Sequence, residues 1–207
     1  MYLLLASASP RRAEILRRIG VSFTVLPADA DESVSALLSP AETVAALSRR
    51  KARAVFLKCE AEKLLFDGKA AGKEIPILAA DTMVERGGRL LGKPHGEEDA
   101  LQMLHTLSGK SHTVHTGVTV LYRGKEVSRT VATEVFFRTL SDEEIRAYVR
   151  SGEPLDKAGA YGIQGVGSVL VEKIEGDFFS VMGLPPRLVR GLLADAGFSY
   201  FDLITVD

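Results

Sequence analysis

Apolar and polar residues alternate along the chain with two different periods, which predict a succession of strands and helices. An apolar run over residues 3–5 indicates a short buried strand, and residues 21–26 alternate with the period of two that is typical of a strand. Between them, Pro10 begins a segment with helical periodicity, and Gly20 follows as the expected end of that helix. Ser9 is expected to cap this helix with its hydroxyl group.

Two capping boxes predict the starts of further helices. Each combines a serine with a glutamate three residues later, at 39–42 and at 141–144. The first precedes a long helix, and the second precedes a helix that should end near Gly152. Apolar residues with helical spacing predict two more helices, over 97–107 and 185–194.

The remaining periodic segments predict strands. Residues 76–80 read as a buried strand that ends at Asp81 and Thr82. Two long alternating runs, 113–122 and 126–138, predict an antiparallel hairpin, and a last strand is expected over 168–174. Because strand–helix units are combined with a long hairpin, the pattern predicts an α/β fold on a mixed sheet.

Composition narrows the class of protein. The chain has 207 residues, which favours a single domain over 1–207, and its net charge of −1 gives no overall field for nucleic acid or acidic lipid. No apolar run reaches about 18 residues, so no membrane span is expected. The single cysteine, Cys59, excludes an internal disulfide and is expected to be a packing residue. We expect a cytoplasmic protein without nucleic-acid or membrane partners.

Two arginines stand at an unusual place, the first turn of a helix. The positive end of the helix dipole disfavours Arg11 and Arg12 by about 0.3–1 kcal/mol for each charge. A phosphate in the turn would reverse this cost, because free N–H groups, arginines and the hydroxyl groups of Ser7 and Ser9 would then share one anion. The alternative is a solvated charge pair that salt screens.

Asp81 is the first candidate for catalysis. A carboxylate at the end of a buried strand lies where α/β sheets place their ligands. It could bind a divalent cation, or accept a proton from an attacking water. The alternative is that Asp81 only forms a hydrogen bond within its own turn.

The glycine-rich stretch at 152–165 is the second candidate. Its glycines let the backbone approach a ligand closely, and Lys157 supplies a positive charge. Tyr161 could stack on a flat ring, and Gln164 could form hydrogen bonds with the edge of a pyrimidine. The alternative is a flexible surface loop.

Other polar residues have plainer interpretations. Lys93 is a candidate phosphate contact between Gly92 and Pro94, whereas Lys51 lies among arginines and could belong to a solvated basic face. The four histidines lack the spacing of a metal site and are interpreted as non-ligands.

Several of these segments together resemble the Maf family of nucleoside triphosphate pyrophosphatases. The resemblance covers nearly the whole chain, in order: LASASPRRAEIL (5–16), ADADE (28–32), ILAADTMV (77–84), GKP (92–94), SGKSHTVHTGV (108–118), EPLDKAGAYGIQG (153–165) and MGLP (182–185). It implies a mixed, curved sheet flanked by helices in two lobes around a deep cleft, similar to the Ham1-like inosine triphosphate pyrophosphatases. It also implies hydrolysis between the α- and β-phosphates with Mg²⁺ or Mn²⁺.

The resemblance also assigns roles to individual residues. DKAGAYGIQG is similar to the branch that prefers dTTP and UTP and differs from the branch associated with 7-methyl-GTP. Asp81 matches the proton acceptor, and with Glu32 it is the expected metal ligand. Positions for substrate selection are matched by Arg11, Thr82 and Gln164, and polar cleft positions by Ser7, Arg12, Glu32, Lys51, Lys93 and Lys157.

Two functional alternatives remain open at this point. The same chemistry could act on a different or modified base, including modified pyrimidine triphosphates. Because Maf proteins are associated with inhibition of septum formation, the protein could also sense a nucleotide by binding alone. A homodimer is expected from the resemblance. The polar residues 66–74 are an insertion relative to compact members, with a loop predicted over 67–74.

Overall fold

The computed structural model describes residues 1–35 and 37–204. Two compact units interleave along the chain. Unit 1 consists of Met1–Asp81, Thr116–Thr130 and the described part of Gly183–Asp207. Unit 2 consists of Thr82–His115 and Val131–Met182. The single domain over 1–207 stays a prediction, since neither unit is one continuous stretch of chain.

Strands and helices alternate in the first part of the chain. The strands are β1 (Leu3–Leu5), β2 (Phe23–Val25), β3 (Leu65–Phe66), β4 (Lys69–Ala70), β5 (Ile77–Arg86), β6 (Arg89–Leu91), β7 (Ser111–Tyr122), β8 (Lys125–Phe137) and β9 (Val171–Glu175). The α-helices are α1 (Pro10–Arg18), α2 (Pro40–Ala61), α3 (Glu97–Leu107), α4 (Asp142–Arg150), α5 (Phe178–Met182) and α6 (Pro186–Ala196). Short 3₁₀ turns span Glu153–Asp156, Ala158–Ala160, Gly165–Leu170 and Tyr200–Leu203.

The main sheet is mixed, which confirms the predicted fold class. Its strands follow the order β2-β1-β5-β7-β8-β9, with β6 paired to β5. β1 is parallel to both β2 and β5, whereas β6 is antiparallel to β5 and β9 is antiparallel to β8. The hairpin between β7 and β8 agrees with the sequence pattern.

In unit 1, the three leucines of β1 are fully buried, and Leu4 packs in a cluster with apolar residues of α2 and β5. The α2 helix begins at the predicted capping box, where Ser39 N–H donates to Glu42 and Glu42 N–H donates back to the Ser39 hydroxyl. Cys59 lies in this apolar cluster, and burial raises the pKa of its thiol. It is therefore the packing residue that the sequence predicts.

In unit 2, α3 and α4 pack against the apolar face of the sheet strands, with buried Leu104, Ile145 and Phe137 in one cluster. The second capping box, Ser141 with Glu144, is present as predicted. The α3 helix has the bounds expected from its apolar spacing.

Five local predictions are wrong. β5 does not end at Asp81 but runs on to Arg86, because its second half pairs with β6. The expected loop at 67–74 contains the turn and second strand of the β3–β4 hairpin. The last strand starts at Val171, because Gly165–Leu170 forms a 3₁₀ turn in which the Ser168 hydroxyl donates to the Gly165 carbonyl.

The fourth and fifth errors concern helix ends. Ser9 makes no side-chain cap, and its N–H instead donates to the Ser7 hydroxyl. The last helix runs two residues beyond the predicted end, to Ala196, with Gly197 left-handed behind it. Along the described ranges, no helix is both long and apolar enough to span a membrane.

Candidate active site

The turn between β1 and α1 holds Ser7 and the two arginines. The Ser7 hydroxyl, nearly buried, accepts hydrogen bonds from Ser9 N–H at 3.2 Å and from Arg12 Nη1 at 2.9 Å. Arg12 Nε donates to the Gly183 carbonyl at 2.9 Å. Arg12 is therefore not a solvated charge: its guanidinium joins the first turn of unit 1 to the segment that follows α5.

Burial has an electrostatic effect on Arg12. Desolvation lowers the pKa of its guanidinium, and the nearby carboxylate of Asp81 opposes that shift. Arg11, next to it on α1, is half-buried and also has a partner in the structure. The turn thus concentrates positive charge close to Asp81.

Lys51 forms ion pairs with two acidic residues of unit 1. Its ammonium nitrogen is 2.5 Å from Asp81 Oδ1 and 2.8 Å from Glu32 Oε1. The Lys51 and Asp81 side chains are 15% and 10% exposed, whereas Glu32 is 67% exposed. The basic-face interpretation of Lys51 is therefore wrong, because the lysine is turned inward and forms a largely buried ion pair.

The arginines around Lys51 have other partners. Arg50 donates to the backbone carbonyls of Asp31 and Ser33, and Arg53 forms a bidentate pair with Glu126. Arg49 also lies within 3.8 Å of Glu126, so that two arginines of α2 share this carboxylate. Only the Lys51 ammonium, among these, reaches Asp81 within the described residues.

Asp81 itself lies within β5, in its buried first half. The alternative of a hydrogen bond within its own turn does not apply, because there is no turn and its partner is Lys51. Thr82 follows it directly in the same strand and is half-buried. The placement of a carboxylate in a buried strand is stabilised by the lysine, since an unpaired buried charge is costly.

The other predicted site residues lie in unit 2. Lys93 is exposed after β6 and lines a surface pocket together with Arg86, Arg89 and His95. Lys157 is half-buried, and its ammonium group donates to the Glu153 carbonyl at 2.5 Å and to Asp156 Oδ1 at 2.6 Å. Gln164 is half-buried in an extended conformation at the start of a 3₁₀ turn.

Tyr161 does not have the expected role. It is 5% exposed, its hydroxyl lies 2.7 Å from His112 Nε2, and its ring packs edge-on against Phe137. A ring held in this way cannot stack on a ligand, so the prediction for Tyr161 is wrong. The flexible-loop alternative is also wrong, because this stretch is packed against its own unit.

Sequence reasoning missed Glu153 and Tyr148. The Glu153 carboxylate accepts hydrogen bonds from Tyr148 and from the backbone N–H groups of Val166 and Gly167, which directly follow the glycine-rich stretch. Their partners lie 5 to 14 residues away along the chain, outside the range of capping and turn signals. The one hint in the sequence is the set of closely spaced glycines, which indicates a close backbone approach.

The sequence comparisons agree with these motifs. A profile of the Maf-like protein family matches residues 2–196. A dTTP/UTP pyrophosphatase of Thermococcus kodakarensis is 48% identical over 187 residues, covering 90% of this chain and 93% of the relative. One of Moorella thermoacetica is 51% identical, covering 94% and 95%. One of Neisseria meningitidis serogroup A is 45% identical, covering 95% and 94%.

A solved structure gives a more distant similarity. The Ham1 protein of Staphylococcus aureus is matched with a TM-score of 0.43 at 13% identity, covering 98% of this chain and 93% of that chain. A likeness at this level is too distant to inform function. The family assignment rests on the profile and the relatives, and by both measures this chain belongs to the Maf-like protein family.

Proposed function

We propose that this protein is a nucleoside triphosphate pyrophosphatase that hydrolyses dTTP and UTP to the nucleoside monophosphate and diphosphate. The observation that carries the proposal is the carboxylate of Asp81, held within a buried strand by the Lys51 ammonium at 2.5 Å. Relatives covering nine-tenths of the chain are named dTTP/UTP pyrophosphatases, and this supports the same substrates here.

Asp81 is proposed as the proton acceptor for the attacking water. The Lys51 ammonium donates to Oδ1, and within the described residues Oδ2 accepts no hydrogen bond. The second oxygen can therefore accept a proton while the first stays fixed. The water attacks the α-phosphorus and the diphosphate leaves, so that positioning and charge stabilisation contribute most of the rate.

A divalent cation, Mg²⁺ or Mn²⁺, fits the donor set of unit 1. No group of three or more His, Cys, Asp or Glu side chains within the described ranges is arranged to hold a metal. Two carboxylates, Asp81 and Glu32, nevertheless converge on one point, the Lys51 ammonium. Mg²⁺ is commonly bound by one or two carboxylates together with substrate phosphates, and when bound it would neutralise phosphate charge.

The remaining residues are proposed to bind and select the substrate. Phosphate oxygens are assigned to the cationic and hydroxyl groups of Ser7, Arg11, Arg12, Lys51, Lys93 and Lys157, and base selection to Arg11, Thr82 and Gln164. The bonds of Arg12 to Ser7 and Gly183 fix the direction of its guanidinium before any substrate arrives. Such preorganisation lowers the cost of binding.

The test is diphosphate release from a panel of nucleoside triphosphates with Mg²⁺. Wild type should act on dTTP and UTP, and Asp81→Asn should lose at least about a hundredfold in kcat, the lower end for a general base. Asp142→Asn, an exposed aspartate in the first turn of α4, is the matched control.

Each other outcome overturns part of the proposal. Release confined to purine nucleotides would refute the assigned base. Nucleotide binding without release would favour the alternative in which the protein senses a nucleotide. Full activity of Asp81→Asn would remove Asp81 from catalysis.

A further inference from the structure

Glu153 and Tyr148 form a cluster of hydrogen bonds around the glycine-rich loop, by which we mean residues 159–167. Glu153 Oε1 accepts from the Tyr148 hydroxyl at 2.9 Å and from Gly167 N–H at 3.0 Å, and Glu153 Oε2 accepts from Val166 N–H at 3.0 Å. The Tyr148 hydroxyl in turn accepts from Gly162 N–H at 3.0 Å. One carboxylate and one phenol therefore hold the loop at three backbone positions.

Glycines allow this close approach. A Cβ on Gly165, which has φ of +67°, would lie 2.7 Å from Glu153 Oε2. A Cβ on Gly167 would collide with the Gly162 carbonyl and lie 2.6 Å from the Tyr148 hydroxyl. The glycines thus create the space that the Glu153 carboxylate and the Tyr148 hydroxyl fill.

Gln164 lies between the fixed positions. Gly162 is held two residues before it, and Val166 and Gly167 are held two and three residues after it. In the part of the chain that the structure describes, its side chain makes no hydrogen bond. The backbone that carries Gln164 is therefore fixed on both sides, while its amide stays available to a ligand.

The same glutamate also fixes Lys157. Its backbone carbonyl accepts from the Lys157 ammonium at 2.5 Å, and a Cβ on Gly162 would lie 2.9 Å from Lys157 Cε. Glu153 thus connects Gln164, which is assigned to the base of the substrate, with Lys157, which is assigned to its phosphates.

We propose that Glu153 is a positioning residue for base selection, which holds Gln164 in the conformation that recognises a pyrimidine. This inference rests on the proposed function and adds a residue outside the set assigned to the substrate. Glu153 acts through the backbone of the loop, so it affects recognition of the base rather than the attack on phosphorus.

The ionised carboxylate is essential to this role. It is acceptor-only and can receive three donors at once, as the structure requires. Glutamine has nearly the same shape, but its NH₂ group is a donor. It would face another donor, either the Tyr148 hydroxyl or a backbone N–H of the loop. Loss of a hydrogen bond to a charged group, with a buried donor left unpaired, weakens the loop.

The experiment compares Glu153→Gln with wild type and with Glu144→Gln. Glu144 is the matched control, because it is another hydrogen-bonded glutamate of unit 2, but its carboxylate bonds to Arg138 and Ser141 instead of the loop. The readouts are kcat and KM for dTTP and dATP, which share the sugar and differ in the base, together with hydrogen exchange at the Val166 and Gly167 amides.

In Glu153→Gln, we expect the preference in kcat/KM for dTTP over dATP to fall about tenfold, through KM for dTTP, as the loss of charge-assisted bonds implies. The kcat for dTTP should stay within about threefold, because the attack on phosphorus is untouched. The two amides should exchange faster, and Glu144→Gln should leave the selectivity and this exchange unchanged.

A second variant keeps the proposal testable if Glu153→Gln does not fold. Tyr148→Phe removes only the hydroxyl group that joins Glu153 to Gly162, and it should lower the preference about threefold by the same route. Unchanged selectivity with faster amide exchange would overturn the proposal, and so would a fall in kcat with unchanged KM. If wild type releases no diphosphate, the proposed function fails, whereas the exchange readout alone still reports whether Glu153 holds the loop.

Discussion

The buried pair of His112 and Tyr161 makes the stability of this protein depend on pH. His112 is 3% exposed, its Nε2 lies 2.7 Å from the Tyr161 hydroxyl, and its Nδ1 is buried without a hydrogen-bond partner in the described residues. A proton added to Nδ1 would have no acceptor. Burial, together with the smaller effect of the Arg86 charge, lowers the pKa of His112 from 6.5 to about 4.

The sign and size of the effect follow from this shift. In the unfolded chain, His112 binds a proton once the pH falls below its ordinary pKa of 6.5. In the folded protein, His112 binds a proton only when the pH falls to about 4. The neutral, buried His112 therefore contributes fully to the free energy of unfolding above pH 6.5. This contribution is lost as the pH falls from 6.5 to about 4. A shift of between two and three pKa units corresponds to about 3 kcal/mol.

Urea unfolding between pH 7 and pH 4 measures this loss. The comparison is wild type against the double variant His112→Phe/Tyr161→Phe, which replaces both polar partners by apolar rings of similar shape and should be close to neutral at pH 7. We expect the free energy of unfolding of wild type to fall by about 3 kcal/mol more than that of the double variant over this range. Parallel pH profiles of the two proteins would refute the reasoning.

Two further perturbations test the packing of unit 1. Lys51→Met leaves the buried carboxylate of Asp81 without its cation. Thermal or urea unfolding should therefore show a free energy of unfolding lower by about 3 kcal/mol, the lower end for breaking a buried pair. An unchanged free energy of unfolding would mean that water already solvates the carboxylate. Gly117→Ala places a Cβ 2.5 Å from the carbonyl carbon of Val44 and should destabilise the protein by about 2 kcal/mol, as overpacking does. The matched Gly191→Ala, within helix α6 with no atom closer than 3.7 Å, should instead stabilise by about 1 kcal/mol, and equal effects of the two alanines would contradict the packing.

Local chemistry was sufficient to predict much of the fold. Both capping boxes and the bounds of α3 follow from residues within one or two helical turns, so the sequence pattern identifies them directly. The mixed sheet follows from the combination of a long hairpin with strand–helix units. These features depend on residues that are close to one another in the sequence, and a periodic pattern of apolar residues reports such short-range relations.

The candidate site was only partly predictable. The motifs identify which residues form the site, but they do not show which side chains pair with one another. Lys51 and Asp81 are 30 residues apart. Because Lys51 is surrounded in the sequence by arginines, nothing near it predicts that its side chain is buried. Tyr161 was misjudged for the same reason, since its partner His112 is 49 residues away. The residue roles, the metal, the dimer and the cytoplasmic location stay predictions.

The order in which the two units are completed during synthesis follows from the hydrogen bond of Arg12. The guanidinium, near the start of the chain, donates to the carbonyl of Gly183, which is made 171 residues later. Unit 2 is already complete when Met182 has emerged from the ribosome, but unit 1 still lacks its last segment. Of the two units, the one that begins first is therefore completed second, and Arg12 cannot form this hydrogen bond until Gly183 has been made.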